Sequence, residues 1–275
     1  MADGAAIEGD DHEVAGWAAF QRRRAALRPP LRPTAEVVAA MRRLTAPAAG
    51  PTLILGLTPE LLASVGEWLA ADWSATAIAD ARAAESPRRR CLQADWRALP
   101  ITPASCGAAI GDGSLSCLAW PGDYGRLSAE LARVLAPGAV VAIRCYATPD
   151  EGERIGDVAA AALAGAGGGF HAFKWRLAMA LAAAHGPNLP VSAIADAFDA
   201  LLPDRAALAA AAGWSLDQIA EIDAYQGSAL AYSFPTRRQI LGAIGPGFVA
   251  ARFIETEGYE LAERCPLLVL ERAAR

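Results

Sequence analysis

The hydrophobic positions along the chain fall into two rhythms. From residue 51 to about 150, short apolar runs alternate with amphipathic stretches. "TLILGL" (52–57) is apolar throughout, as a strand covered on both faces is. "PELLASVGEWLAA" (59–71) reads as the helix that follows it. "ATAIAD" (75–80), "RRCLQAD" (89–95) and "CGAAIGDG" (106–113) read as the second, third and fourth strands. "DYGRLSAELARVLAPG" (123–138) is helical with a Pro-Gly stop, and "AVVAIRCYA" (139–147) is a fifth strand. That βαβα succession predicts a parallel, doubly wound sheet.

Residues 150–245 keep a helical rhythm instead. "ERIGDVAAAALAG", "FHAFKWRLAMALAAAHG", "VSAIADAFDALL" and "DRAALAAAAGWSLDQIAEIDAYQG" follow one another, and the region reads as mostly helical. The closing "GFVAARFIETEGYELAERCPLLVLER" reads as two β runs around a turn. The expected architecture is therefore an α/β, Rossmann-like, mostly parallel seven-stranded sheet with a closing antiparallel hairpin. Residues 50–275 form that domain, and 150–245 form a helical cap insertion. Residues 1–49 are a tail plus helices. Positions 1–12 are read as disordered. A helix is expected over 13–28, with Val14, Trp17, Phe20 and Leu27 near one face. "PPLRP" stops it, and Thr34 is the expected N-cap of the next helix, "AEVVAAMRRL".

Composition narrows the functional classes. The 275 residues are 54% hydrophobic, enough for a sizeable core. The net charge of -5 argues against a nucleic-acid partner. Arginine and alanine are abundant and lysine occurs once, at Lys174, a bias typical of a GC-rich bacterial genome. The five cysteines form no Cys-x-x-Cys pair and no zinc pattern, so reduced thiols in a cytoplasm are expected. "MADGAAIEGDDHE" lacks the apolar stretch of a signal peptide, and no apolar run is long enough to predict a membrane span.

The turn after the first strand, Gly56-Leu57-Thr58-Pro59-Glu60, carries the chemistry. A pyrophosphate loop needs several free backbone N–H groups and close approach. Pro59 has no N–H and Glu60 repels phosphate, so NAD and ATP fit poorly. A cationic nucleoside without phosphate fits better. S-adenosylmethionine carries a sulfonium, an ammonium and a carboxylate, and a helix N-terminus suits the last of these. Thr58 is a natural N-cap, Pro59 a natural first helical residue, and Gly56 leaves room for a ligand. Asp80, read as ending the second strand, suits ribose hydroxyls. Asp95, after the third, suits an adenine amino group, with Trp96 against the ring. Asp112 lies at the end of the fourth. Acids after successive strands gather on the rim where α/β sheets bind ligands.

"LILGLTPEL", "ADWRALP", "AAIGDGSLSCL", "ELARVLAPGAVVAIRCYATPDE" and the closing hairpin together resemble class I S-adenosylmethionine-dependent methyltransferases. They are most similar to a bacterial subgroup with a Gly-x-Thr-Pro-Glu turn. The resemblance covers 50–150 and, less closely, 245–272. It implies that Gly56, Thr58 and Glu60 line the methionine end, Asp80 the ribose, and Asp95 with Trp96 the adenine. Asp112 and Ser114 would border the methyl group. The chain departs from the family's commoner Glu/Asp-x-Gly-x-Gly-x-Gly motif.

For chemistry on the acceptor, the candidates are His171 as base, with Tyr146 and Arg144 at the rim to bind an anionic or aromatic substrate. His171, Lys174 and Trp175 share a helical face. The plainer alternative for His171 is a capping or surface histidine beside a core aromatic stripe. Arg237 and Arg238 read as a surface pair at a helix start. No metal-ligand motif and no nucleophile elbow is present. The cap's length and apolarity point to a small-molecule acceptor, without nucleic acid or membrane, and a homodimer is compatible with its helices. A non-catalytic sensor or scaffold on the same fold is the alternative.

Overall fold

The computed structural model describes residues 27–46 and 48–274; the helix expected over 13–28 and the expected disorder of 1–12 lie outside them, apart from Leu27 and Arg28. In chain order the elements are α1 (Ala35–Thr45), β1 (Thr52–Leu55), α2 (Pro59–Ser64), β2 (Trp68–Asp72), α3 (Ala75–Ala81), β3 (Arg89–Gln93), β4 (Cys106–Asp112), α4 (Gly122–Val134) and β5 (Leu135–Arg144). An insertion follows: α5 (Ile155–Leu163), α6 (Phe170–His185), β6 (Asn188–Pro190), α7 (Val191–Leu201), α8 (Arg205–Ala212), α9 (Leu216–Ala220) and β7 (Ala231–Ser233). The chain closes with α10 (Arg237–Ala243), β8 (Phe248–Ile254) and β9 (Leu267–Arg272).

Seven strands form one sheet in the order β3-β2-β1-β4-β5-β9-β8. The first five run parallel, and β9 is antiparallel to both β5 and β8. The expected Rossmann-like sheet with its closing antiparallel hairpin is therefore present. Strand β1 is buried on both faces because its side chains alternate. Leu53 and Leu55 enter the core shared with Leu127 and Leu131 of α4. Ile54 enters the core shared with Met41 of α1 and Leu61 of α2. Thr34 caps α1 as expected, its side chain accepting from the Val37 N–H.

Two sequence readings are corrected. Residues 59–71 are not one helix: α2 stops at Ser64, Val65 is extended, and after Gly66 the chain enters β2. "ATAIAD" is helix, not strand. Ser74 accepts a hydrogen bond from the Ala77 N–H and caps α3, so the apparent alternation of Ala, Thr and Ile is the buried stripe of a helix. The second strand lies one step earlier, at "WLAAD".

The segment between β5 and β8 is largely helical, with an unexpected two-stranded antiparallel sheet, β6–β7. It has an aromatic core of Phe170, Phe173, Trp175, Phe198, Trp214 and Tyr232, which Tyr146 beyond β5 also enters. Polar ties fix it to the sheet domain. The Tyr124 and Ser233 hydroxyls share a hydrogen bond of 2.9 Å. Asn188 donates to the Trp120 carbonyl and accepts from its N–H, and Thr148 donates to the Phe234 carbonyl. Among the described residues no helix is long and apolar enough to cross a membrane.

Candidate cofactor and acceptor site

Strand order reverses between β1 and β4, because β2 and β3 lie on one side and β5 on the other. Such a switch point opens a crevice at the carboxyl ends of the strands. A cavity of about 130 Å³ sits there, lined by Gly56, Thr58, Asp72, Trp96, Asp112, Gly113, Ser114, Tyr146, Trp175 and Tyr232, among others. An open cleft of about 590 Å³ adjoins it, sharing Trp73, Trp96 and Cys117 and adding Asp95 and Arg97.

Gly56 follows β1 with φ +95°. A Cβ there would point between Trp96, 3.8 Å away, and the Asp72 carboxylate, 3.9 Å away. Glycine therefore keeps the cavity open and tolerates the backbone. Thr58 is the N-cap residue of α2 and Pro59 its first residue, but the Thr58 side chain makes no capping bond. It is buried at the cavity instead. Gly113, after β4, has φ +66°, and a Cβ would meet the Tyr146 ring at 2.7 Å. Ser114 is spent structurally: its hydroxyl donates to the Leu55 carbonyl at 2.8 Å and ties β4 to β1.

Asp80, expected at the end of the second strand, is not there. Asp80 is exposed on α3 and lines a separate surface groove with Arg32 and Arg89. The acid that ends β2 is Asp72, buried at the cavity, one carboxylate oxygen accepting from the Ser74 N–H at 2.9 Å. The signal that marks it is the "VGE" break before "WLAAD", which separates a short helix from a short strand. Trp73, the next residue, is 47% exposed and lines both cavities.

Trp96 is held in place by its indole N–H, which donates to the Ala71 carbonyl at 2.6 Å. Asp95 faces the open cleft and accepts from the Arg97 guanidinium through both oxygens. Those hydrogen bonds hold its carboxyl below the usual range. Arg97 also reaches Asp123, so the acid's position is braced from α4.

Glu60 points away from the cavity. It accepts from Arg32 at 2.6 Å, and its other oxygen is buried without a hydrogen-bond partner among the described residues. Arg32 belongs to residues 27–33, a strap along the cavity to which Leu27 and Leu31 contribute lining. The strap has a second tie. Arg144 and Tyr146 both donate to the Pro30 carbonyl, at 2.8 and 3.0 Å.

Arg144 is fully buried and ion-paired to Asp112, Nε to Oδ1 at 2.5 Å. It also approaches the Tyr259 hydroxyl. Its donors are engaged within the protein, so the structure places it as a tie between β4, β5 and the strap. Tyr146 presents its ring to the cavity while its hydroxyl is bonded to the strap. Burial pushes that phenol well above its ordinary value.

His171 does not line the cavity. It is buried in the insertion, Nδ1 lying 3.5 Å from a Glu221 carboxylate oxygen. Burial first, then Lys174 and Arg28, push it down to about 4, so the ring is neutral near neutral pH. Trp175 and Tyr232 of the insertion are the residues that reach the cavity. Arg237 and Arg238 stay outside the site, Arg237 paired with Glu255 and Arg238 with Asp150. Among the described residues no group of three or more His, Cys, Asp or Glu is arranged to hold a metal ion.

No family model matches the chain, and no curated protein does. Solved structures do. A S-adenosylmethionine-dependent methyltransferase from Methanosarcina mazei aligns with TM-score 0.51 and 12% identity over 89% of this chain and 100% of its own. A chain from Haloferax volcanii, in a complex of the Trm112 methyltransferase activator with a candidate methyltransferase, aligns with TM-score 0.54 and 14% identity over 95% of this chain and 98% of its own. The fold is that of class I methyltransferases. A Rhodobacter sphaeroides structure described as a candidate zinc-dependent alcohol dehydrogenase aligns with TM-score 0.60 and 11% identity over 98% of this chain and 100% of its own. At such identities the likeness is one of fold, and function rests on the site.

Proposed function

We propose that the chain is a S-adenosylmethionine-dependent methyltransferase acting on a small-molecule acceptor. One observation carries the reading: Gly56, Asp72, Trp96 and Gly113, from the ends of β1, β2, β3 and β4, surround one cavity at the switch point. The residues present fit the cofactor. Gly56 leaves the backbone of the turn open, and the wide cleft between Trp73 and Trp96 suits a flat base. Asp72 is placed for ribose hydroxyls and Asp95 for an exocyclic amino group. The narrow cavity at Thr58 and Asp112 takes the amino-acid end. Asp80 and Glu60 have no part in this assignment.

When bound, S-adenosylmethionine supplies a methyl group on a positively charged sulfur, open to in-line attack. The protein's work is then positioning and exclusion of water. The Asp112–Arg144 pair holds the end of β4 rigidly against β5. The strap, Tyr146, Trp175 and Tyr232 close the far side, and the acceptor enters between them and the donor. Among the described residues, none at the cavity is placed as an evident base. His171 serves the insertion's interior.

Thermal unfolding with S-adenosylmethionine, with S-adenosylhomocysteine and with NADH tests the reading. Ligand at about one hundred times its dissociation constant adds roughly 2.7 kcal/mol, a rise of several degrees. A rise with either sulfur nucleoside and none with NADH is expected, and no rise with either contradicts it. Binding without turnover on any acceptor favours the non-catalytic scaffold. Turnover on intact protein or RNA alone overturns the small-acceptor half.

A further inference from the structure

Glu60 closes the turn after β1 and takes no part in the cavity. Gly56 and Thr58 of that turn line the cavity, while Glu60, two residues on, faces the strap. Arg32 Nε donates to Glu60 Oε1 at 2.6 Å, and a terminal nitrogen of Arg32 meets the same oxygen. The two side chains are 33% and 22% exposed, so water reaches the pair. One turn therefore borders the ligand's place on one flank and holds the strap on the other.

The strap has the build of a movable segment. Pro29, Pro30 and Pro33 have no N–H to give to a neighbouring strand. The Leu31 N–H donates within the strap, to the Arg28 carbonyl. Side chains fasten it to the body: the Arg32–Glu60 pair, the Arg144 and Tyr146 donors on the Pro30 carbonyl, and the two leucines. Leu27 is buried at the cavity, and Leu31 packs against the aromatic core of the insertion. A segment with so few ties opens ahead of the sheet behind it. The two polar anchors differ in kind. Arg144 and Tyr146 hold Pro30 from inside the protein, whereas the Arg32–Glu60 pair is partly in water and is the weaker of the two.

Resting on the methyltransferase reading, we propose that residues 27–33 are a gate over the cavity, latched by the Arg32–Glu60 pair, and that its opening sets the rate at which the cofactor enters and its demethylated product leaves. The amino-acid end of either ligand sits under Leu27 and Leu31, in a cavity of about 130 Å³. The base lies in the adjoining open cleft of about 590 Å³ and exchanges with solvent there. The charged end passes only when the strap lifts. Such a gate scales both directions alike. If only the open form exchanges ligand, each observed rate is the intrinsic rate multiplied by the open fraction. A latch that bears equally on the empty and the filled site leaves their ratio, the affinity, unchanged.

Stopped-flow tryptophan fluorescence with S-adenosylhomocysteine reads both rates, because Trp73 and Trp96 line the cavity. It is applied to the wild type, Arg32→Ala, Glu60→Ala and the double variant. Each variant should raise association and dissociation together, about fivefold or more, with Kd within about twofold of the wild type. The double variant should match the singles, because either one removes the whole pair. Unchanged rates in all three variants overturn the proposal. So does faster dissociation alone with affinity lost to match, which would make the pair part of the wall. Hydrogen exchange across 27–33 without ligand separates the gate from the cofactor reading. If the wild type binds no S-adenosylhomocysteine, the methyltransferase reading falls, and the gate survives only if strap exchange quickens in all three variants. Strap exchange unchanged in the variants overturns the gate whatever the protein binds.

Discussion

Arg144 and Asp112 show how a residue legible as functional becomes structural once its partners are known. Both stand at strand ends on the cleft side, which is why they read as site residues in the sequence. The sequence does not contain the information that they pair with each other 32 positions apart, at 2.5 Å and out of water. Removing one partner of such a pair strands a buried charge. Arg144→Met should therefore destabilise by about 3–5 kcal/mol. The double replacement Arg144→Met with Asp112→Leu should recover much of the loss. Urea unfolding of the three proteins measures it, and a single variant as stable as wild type would show the pair to be idle. Asp72 illustrates the opposite failure. Its strand, "WLAAD", is alanine-rich and short, so neither helix nor strand period stands out, and the neighbouring Asp80 took its place in the reading. The position of Gly56 and Trp96 at the cleft was legible because a strand-ending glycine and an acid-aromatic pair each have a distinct physical use.

At the scale of elements, long apolar runs were readable and short ones were not. Strands β1, β4 and β5 and the hairpin of β8 and β9 have enough β-rich residues to declare themselves. Strands β6 and β7 have three residues each and pair only because the insertion's core brings them together. The strap over residues 27–33 is likewise a tertiary feature, held by Arg32 to Glu60 and by Arg144 and Tyr146 to the Pro30 carbonyl. Ties of this kind set local opening. Arg32→Ala should speed amide exchange in residues 27–33 severalfold and leave β4 and β5 unchanged. Hydrogen-exchange mass spectrometry reads both. Unchanged strap exchange would mean the Pro30 contacts alone hold it.

The whole molecule carries two titrating costs of the same sign in its insertion. His171 titrates near 6.5 when unfolded and about 4 when folded. Between those values the unfolded chain binds the extra proton, so stability falls as pH falls through that window. Lys174 titrates near 10.5 unfolded and about 8 folded. Over that range the unfolded chain again binds more protons, so stability rises with pH. Each slope has a ceiling of roughly 1.4 kcal/mol per pH unit. Arg28, Lys174 and Glu221 face His171, and Glu221 faces Lys174, so the two titrations are coupled. Melting curves across pH should show His171→Asn flattening the acid limb and Lys174→Met the alkaline limb. Limbs unchanged in both variants would place the pH dependence elsewhere.

The central claim is that the cavity between β1 and β4 binds S-adenosylmethionine through Gly56 and Asp72. Calorimetric titration of S-adenosylhomocysteine into the wild-type protein, Gly56→Val and Asp72→Asn tests it most directly, with circular dichroism to establish that each variant is folded. The account predicts one site per chain in the wild type and at least tenfold weaker binding in both folded variants. Equal affinity in all three proteins, or no binding by the wild type, would contradict it.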